Sequence, residues 1–416
     1  MPDPKKIVLA YSGGLDTSVI LPWLKGRYPG VKLVAFAAEL GQGDELEGIE
    51  KKAYDSGADE VVVADLRQEF AERYCFPMIR AHAVYESDYL LGTSIARPLI
   101  AAHQVRVAHE TGADAVGHGA TGKGNDQVRF ELTARALDPS LQIISPWKDP
   151  RFIADGLTDR ETAIDYAREH GIPVDQTTKK IYSRDRNLWH ISHEGAEIED
   201  PAKEPDWANC LVTAVRPEDA PDEAEVVTVG FEHGSPVSID GERLPGHTLI
   251  EKLNALGGRH GVGTTVLTEN RLVGMKSRGV YETPGGSILY EAHKALEQLT
   301  LERDLFHEKI RLSSRYAEIV YNGQWFHPLR EAFQAFIDRA SEVVTGTVRV
   351  KLYKGGCLAI GAQSPESLYD EKLASFAMDG YDITAARGFI DLFGLPMQVV
   401  GLREAKRRAA RSSIAR

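Results

Sequence analysis

The sequence predicts an α/β protein with three parts: a doubly wound parallel sheet, an α+β domain after it, and a helical C-terminal arm. Three observations lead there. Short runs rich in Val and Ile alternate with amphipathic helical patterns from residue 5 to about 170. Near residue 175 the texture becomes polar and loop-rich, and then longer strands and helices follow. From about Ser364 onward the chain reads as helical and carries apolar residues, with too few neighbours of its own to bury those side chains. The boundaries expected on this basis are 1–172, 173–363 and 364–416.

The strands of the first part are "IVLAYS", "VKLVAFAA", "DEVVVADL", "ADAVGHGA" and "QIISPW". Helical stretches such as "DELEGIEKKAYDSG", "LRQEFAERYCFPMIRAHA" and "RPLIAAHQVRVAHETG" lie between them. Strand, helix, strand in this order means βαβ units and a parallel sheet. "HGIPVDQTTKK" closes this part with a Gly-Pro stop. In the second part "EVVTVGF" and "PVSIDGERL" read as strands and "HTLIEKLNALGGRHG" as a helix. "VLTENRLVGMKSRGVYETPGG" is mixed, and "SILYEAHKALEQLTLERDLFHEKIRLSSRYAEIV" reads as one long helical pattern. Strands "TGTVRVKLY" and "CLAIGAQ" follow. In the arm, Phe389, Ile390, Leu392 and Phe393 need a covering surface, and a second subunit would supply it.

Composition narrows the class. Hydrophobic residues make up 43% and charged residues 26% of 416, which suits a soluble enzyme of two or three domains. No run of about 18 uncharged apolar residues occurs, which argues against a membrane span. The start, Met-Pro-Asp-Pro-Lys-Lys, offers no secretory leader, and Cys75, Cys210 and Cys357 are widely spaced. They suit a reducing cytosol and argue against a disulfide scaffold or a cysteine zinc site. A net charge of −12 argues against a general nucleic-acid binder. The basic end "LREAKRRAARSSIAR" reads as a solvated or frayed helix end.

One loop carries the chemistry. In "IVLAYSGGLDTSVIL" an apolar strand runs into Ser12, Gly13 and Gly14, and a helix opens at about Thr17. This is the layout of an anion site, with backbone N–H groups and a helix N-terminus turned to one phosphate. Ser12, Thr17 and Ser18 supply hydroxyls. The lysine of the common G-x-x-x-x-G-K-[ST] loop is missing. Asp16 would repel a bare phosphate, so it either caps the helix or faces a Mg²⁺ bound with the phosphates. "GHGATG" (117–122) matches G-x-G-x-x-G after a strand, but its last glycine opens no helix, which counts against a dehydrogenase. "HISHE" (190–194) has no H-E-x-x-H companion, so its histidines read as structural and no protein-held metal is expected.

S-G-G-x-D-[ST]-S after the first strand resembles the pyrophosphatase loop of the N-type ATP pyrophosphatases, whose fold is adenine-nucleotide α-hydrolase-like. In that family the loop grips the β- and γ-phosphates, and attack falls on the α-phosphorus, so no P-loop lysine is required. "LAYSGGLDTS", "YLLGTSIARP" (89–98), "GHGATGKGNDQVRFE" (117–131), "NLWHIS" and "GMKSRGVYETPGG" (274–286) are together similar to the argininosuccinate synthetase family. The resemblance covers nearly the whole chain, without departure at the positions used below.

It implies an ATP-dependent ligase. Citrulline's ureido oxygen is adenylated, the aspartate amine displaces AMP, and pyrophosphate is released. It also implies arginine biosynthesis, a cytoplasmic homotetramer, and ATP with Mg²⁺. By motif matching, ATP meets Ala10, Tyr11, Ser12, Gly13, Gly14, Leu15, Asp16, Thr17 and Ser18, with Ala38 and Gly119. Citrulline meets Tyr89, Ser94 and Arg129 from the first domain, and Ser183, Ser192, Glu269 and Tyr281 from the second. Aspartate meets Thr121, Asn125 and Asp126, with citrulline a second partner open to Asn125. Asp16, Asp126 and Arg129 are the residues expected to serve the chemistry most directly. Without the resemblance, Tyr89 and Tyr281 read as core or rim aromatics, and Glu269 and Arg129 as exposed or salt-bridged surface charges. Two other readings stand beside this one. A tRNA-modifying ligase would need a basic face, and a non-catalytic relative would not need the intact loop.

Overall fold

The computed structural model describes residues 2–158, 160–172, 182–374 and 382–414. The Gly-Pro stop expected at 170–180 lies mostly outside these residues, although Gly171 adopts φ 67° just past a helix ending at Glu169. The chain divides into two compact units, Met1–Glu366 and Ser367–Arg416.

All five strands expected in the first part form. They are β1 (Lys6–Ala10), β2 (Lys32–Glu39), β3 (Glu60–Asp65), β4 (Ala115–Gly117) and β5 (Gln142–Ile144). They pair in parallel in the order β3-β2-β1-β4-β5. Alternation along β1 and β2 sends Val8, Val34 and Phe36 into one core and Ile7, Leu9, Leu33 and Ala35 into another. Both faces are therefore covered, which is why these strands read as continuous apolar runs. The order reverses between β1 and β4, so the loops after them flank the crevice where doubly wound sheets bind ligands.

The helices that frame this crevice are short α1 (Leu15–Ser18), α2 (Ile20–Arg27), α3 (Ile49–Asp55), α4 (Gly92–Thr111) and α5 (Asp126–Leu137). Helical structure opens at Leu15, ahead of the expected Thr17, with Gly14 at its N-cap.

The remainder of the large unit holds two antiparallel sheets. A four-stranded one is ordered β11 (Thr264–Asn270), β12 (Lys276–Glu282), β7 (Ile191–Glu194) and β6 (Ser183–Arg186). The other comprises β10 (Glu242–Arg243), β9 (Ser235–Ile239), β8 (Glu225–Glu232), β13 (Gly346–Tyr353) and β14 (Gly356–Gln363). Packed with them are α6 (Gly246–Arg259), α7 (Pro284–Thr300), α8 (Arg303–Tyr321) and α9 (Pro328–Ser341).

The single long helical pattern expected at 287–320 is in fact two helices. The break follows from Glu302, whose carboxylate accepts from Asp304 N and Leu305 N and so starts a new helix. The polar stretch read as loop contains β6 and β7. The first core cluster runs from Val8 and Phe36 through Leu253, Ile288 and Tyr316, so the parallel sheet and the later helices share it.

In the second unit, helix α10 (Ala385–Ile414) carries the basic end, which stays helical to Ile414.

Candidate active site

The loop after β1 is a compact turn held by its own side chains. Gly14 N–H donates to Ser12 Oγ (3.3 Å), and Thr17 Oγ1 donates to Gly14 O (3.2 Å). Ser12 Oγ and Thr17 Oγ1 are 3.2 Å apart. Tyr11 and Ser18 are buried and bonded to each other at 3.0 Å, so they brace the loop from beneath. Gly13 has φ 71° whereas Gly14 has φ −72°, so only the first requires glycine for its backbone. Gly119 is glycine for a packing reason as well, since a Cβ there would meet Thr17 Cγ2 at 2.8 Å. The loops after β1 and β4 thus touch at the strand-order reversal. Ala38, near the end of β2, is buried, and its carbonyl accepts from Gln42 Nε2 (2.8 Å).

After β4 the chain makes the turn 118–125 before α5. Its base is fixed by His118, whose Nδ1 accepts from Ala120 N (3.2 Å) and whose Nε2 lies 3.4 Å from Glu131 Oε1. Bonds from His118, above all, and from Lys148 hold the Glu131 carboxyl down at about 2. Thr121 is exposed in this turn. Asn125 is buried, and it donates through Nδ2 to Tyr321 Oη (2.8 Å) while Oδ1 accepts from Leu272 N (3.0 Å).

Asp126 begins α5, but its bonds go to arginines. Arg97 Nε donates to Oδ2 and Arg129 Nη1 to Oδ1, each at 2.9 Å. Arg129 is buried, and its Nε and Nη2 donate to Tyr321 O (3.3 and 3.2 Å). Arg97 also reaches Asp185 Oδ2 on β6 at 2.9 Å, which ties the first part of the chain to the second. Burial pushes the Asp185 carboxyl up, but Arg97 outweighs it with help from His190 and Thr93, so the group stays below the ordinary range. Burial lowers His190 to about 4.

The four-stranded sheet gathers the second set of candidates. Register pairs Tyr281 with Ser192, Ser192 with Asp185, and Ser183 with Glu194. Side chains alternate along strands, so Ser183, Ser192, Tyr281 and Glu269 all lie on one face. The Tyr281 ring extends over Gly279, where a Cβ would come within 2.9 Å of it. Its hydroxyl donates to Glu269 Oε1 at 3.2 Å. Tyr89 stands 4.9 Å from Tyr281 and 6.2 Å from Tyr321 by ring centroids. Tyr321 stacks on Tyr85 at 3.7 Å and faces the Arg129 guanidinium.

Burial raises Tyr89 to about 12 and raises Glu269 and Tyr281 as well. Ser94 Oγ and Glu269 Oε2 are buried without a hydrogen-bond partner. Buried polar atoms left this way are costly unless a ligand meets them.

Contacts therefore join Asn125, Asp126, Arg129, Tyr89, Tyr281 and Glu269 through Tyr321. Ser192 stands beside Tyr281, while Ser183 sits further out and exposed. Sequence reading missed Arg97, Asp185 and Tyr321. Arg97 lies inside the quoted "YLLGTSIARP", and a charged residue within an apolar helix pattern was the available signal.

The opposite face is structural. His193 Nε2 pairs with Glu282 Oε1 (2.7 Å), and Glu282 also accepts from Val212 N, Thr213 N, Thr213 Oγ1 and Ala214 N. No cluster of three or more His, Cys, Asp or Glu suited to a metal occurs among the described residues.

Residues 6–173 match the family described as arginosuccinate synthase N-terminal HUP domain, and 182–400 match the arginosuccinate synthase C-terminal domain. This chain belongs to the argininosuccinate synthase family. It is 57% identical over 403 residues to the argininosuccinate synthase of Desulfitobacterium hafniense (strain DSM 10664 / DCB-2), covering 97% of this chain and 99% of the relative. It is 56% identical to that of Desulforamulus reducens over 402 residues, covering 96% of this chain and 98% of the relative. Identity to that of Roseiflexus sp. (strain RS-1) is 54% over 407 residues, with 98% of each covered. Among the described residues no helix is long and apolar enough to cross a membrane.

Proposed function

We propose that this chain ligates L-citrulline to L-aspartate, with ATP cleaved to AMP and pyrophosphate. One observation carries the reading. A buried arginine, a buried glutamate with an unpartnered oxygen, and a tyrosine wall converge from both parts of the chain at the start of α5, just after the β4 turn. A ureido carbon is a poor electrophile because both nitrogens feed electrons into it. Adenylation of its oxygen creates a leaving group, and the aspartate amine then expels AMP. The protein contributes positioning and charge neutralisation.

ATP lies along Ala10–Ser18, with Ala38 and Gly119 beside the adenosine. The N–H groups of the loop and the start of α1 face the pyrophosphate. Asp16, Ser12 and Thr17 offer oxygen donors of the kind Mg²⁺ prefers and would hold the ion, which would supply charge neutralisation on the phosphates. The bonds of Arg129 to Asp126 and Tyr321 leave part of its five-donor fork for the citrulline carboxylate. Glu269 takes the citrulline nitrogens, and Tyr89, Ser94, Ser183, Ser192 and Tyr281 line the rest. Thr121 and Asn125 donate to the aspartate carboxylates, and Asp126 accepts from its ammonium.

We infer also that the enzyme is a cytoplasmic homotetramer without a nucleic-acid partner, in which 1–172 binds nucleotide, 173–363 completes the substrate site and 364–416 joins subunits. The acidic charge and the exposed apolar arm support this.

The test combines ATP, aspartate and citrulline labelled with oxygen-18 in its ureido group. AMP carrying the label, pyrophosphate and argininosuccinate should appear together. ADP and phosphate as the nucleotide products would sink the reading.

A further inference from the structure

Tyr281 has a second neighbourhood. The residue also lines a cavity of about 270 Å³, close to the roughly 300 Å³ at which small-molecule sites begin. Arg129, Asp126, Asn125 and Glu269 form none of its lining. Its walls come instead from the segment 82–90, the start of β11, the end of β12, the first half of α7 and Cys357 of β14.

The first of these walls is strained. His82 (φ 47°), Glu86 (48°), Ser87 (75°) and Leu91 (64°) are left-handed without being glycine. Strain of this kind concentrates at ligand clamps and switch segments. Among these residues His82 Nδ1 is buried without a hydrogen-bond partner. Burial, with Lys309 and Lys294 nearby, holds His82 down at about 4, so it is neutral near pH 7 and free to accept or donate one bond.

The remaining chemistry is that of a zwitterion site. Lys294 offers an ammonium and is paired with Glu291 at 2.6 Å. Asp88 is exposed and has no side-chain partner among the described residues. The lining therefore sets two carboxylates against one ammonium, with Thr265 and Ser287 also in the wall. Val84 and Leu90 supply apolar wall. A ligand matched to this set has one carboxylate, two cationic groups and a methylene stem.

We propose that this cavity binds a basic α-amino acid, its carboxylate on Lys294 and its cationic groups on Asp88 and Glu291, and that occupancy is felt at the citrulline site through Tyr281. The second clause rests on the assignment of Tyr281 to citrulline. The segment 82–90, five of whose residues line the cavity, also carries Tyr89, whose ring stands 4.9 Å from that of Tyr281.

The experiment is equilibrium dialysis of labelled L-lysine against the full chain with citrulline saturating, so that the citrulline site cannot take the probe. Wild type should bind about one lysine per chain, and L-glutamate should compete about tenfold less well. Asp88→Asn and Lys294→Ala, both at accessible positions, should each weaken lysine about tenfold and leave the melting temperature alone. In wild type, lysine should change the dissociation constant of labelled citrulline; in the two variants at the same lysine concentration it should not. Lysine binding that vanishes when citrulline is present, or that survives both substitutions, overturns the site. An unchanged citrulline constant with lysine bound overturns the coupling. Failure of labelled citrulline to bind at all would instead count against the substrate assignment.

Discussion

Gly13 and Gly14 look interchangeable in the sequence, yet their backbones differ in sign of φ, and this separates two effects of the same substitution. Gly13→Val places a β-branched side chain at φ 71°, with its Cβ 3.4 Å from Ile49 Cδ1. It should cost about 1–3 kcal/mol of stability and also weaken ATP binding. Gly14→Val meets only Ser12 Oγ at 3.3 Å and sits at an ordinary φ, so it should weaken ATP with little change in melting temperature. Nucleotide titration beside thermal melts checks both, and unchanged ATP affinity in either folded variant would count against this placement of the triphosphate. Asp126 is a second residue whose roles divide. A charge-assisted contact is worth about 1.5–3 kcal/mol, so Asp126→Ala should cost roughly 10- to 150-fold in apparent aspartate affinity or in the second stage. Adenylation should survive as a burst of pyrophosphate from ATP and citrulline alone, read by rapid quench. The substitution also leaves Arg97 and Arg129 without a shared counter-ion, so Asp126→Asn is the control that keeps the shape while removing the charge. Loss of the burst in well-folded protein would overturn the assignment.

At the scale of elements, what could be read depended on whether burial was one-sided. The β1–β5 strands are covered on both faces, so their apolar runs stood out. β6 and β7 put Ser183, Asp185 and Ser192 on one polar face, so the alternation that signals a strand was missing there. Ser183 and Ser192, singled out by motif matching, thus sit in strands that their own polarity hid. Tyr321 and the Arg97–Asp185 bond were illegible for another reason: their partners are 88 to 196 residues away in the chain. Helix α9 was legible and missed, since Pro328 at its first turn and Phe333, Phe336, Ile337 and Ala340 at helical spacing mark it. The hidden face of the same sheet makes its own prediction. Burial pushes the Glu282 carboxyl up, but bonds from His193, Ala214, Val212 and Thr213 hold it below its ordinary value. A carboxyl lowered on folding contributes stability that is complete above the unfolded value of about 4.5 and is lost as pH falls through the folded one. Glu282→Gln should therefore cost about 1.5–3 kcal/mol at pH 7, since it removes a charged acceptor from a set of fixed donors. It should also flatten the acid limb of the stability curve below pH 4.5. Urea melts between pH 3 and 8 read both effects, and an acid limb unchanged in the variant would show that Glu282 does not carry it.

For the whole molecule the question is what covers the arm. Phe389, Ile390, Leu392, Phe393 and Met397 are 63–80% exposed, on a helix that ends in a basic segment. Side chains of this size are seldom left in water over so short a stretch, and a contiguous apolar patch marks an interaction surface. A basic tail on an acidic chain adds a second reason for contact with another copy, because net charge elsewhere is negative. Helix α10 also contains Pro396 and yet continues to Ile414, which a lone solvated helix would do at a cost of about 3 kcal/mol. Packing against a second subunit would offset that cost, whereas water would not. Removing 364–416 should therefore reduce the assembly mass by light scattering and lower solubility, because the surface the arm covers is exposed in its turn. Substituting Phe389 and Phe393, whose rings stack at 5.2 Å, by serine should dissociate the assembly without shortening the chain. If the truncated chain kept its full assembly mass, subunit contacts would have to be sought elsewhere on the residues before 364, and the arm would need a different occupant.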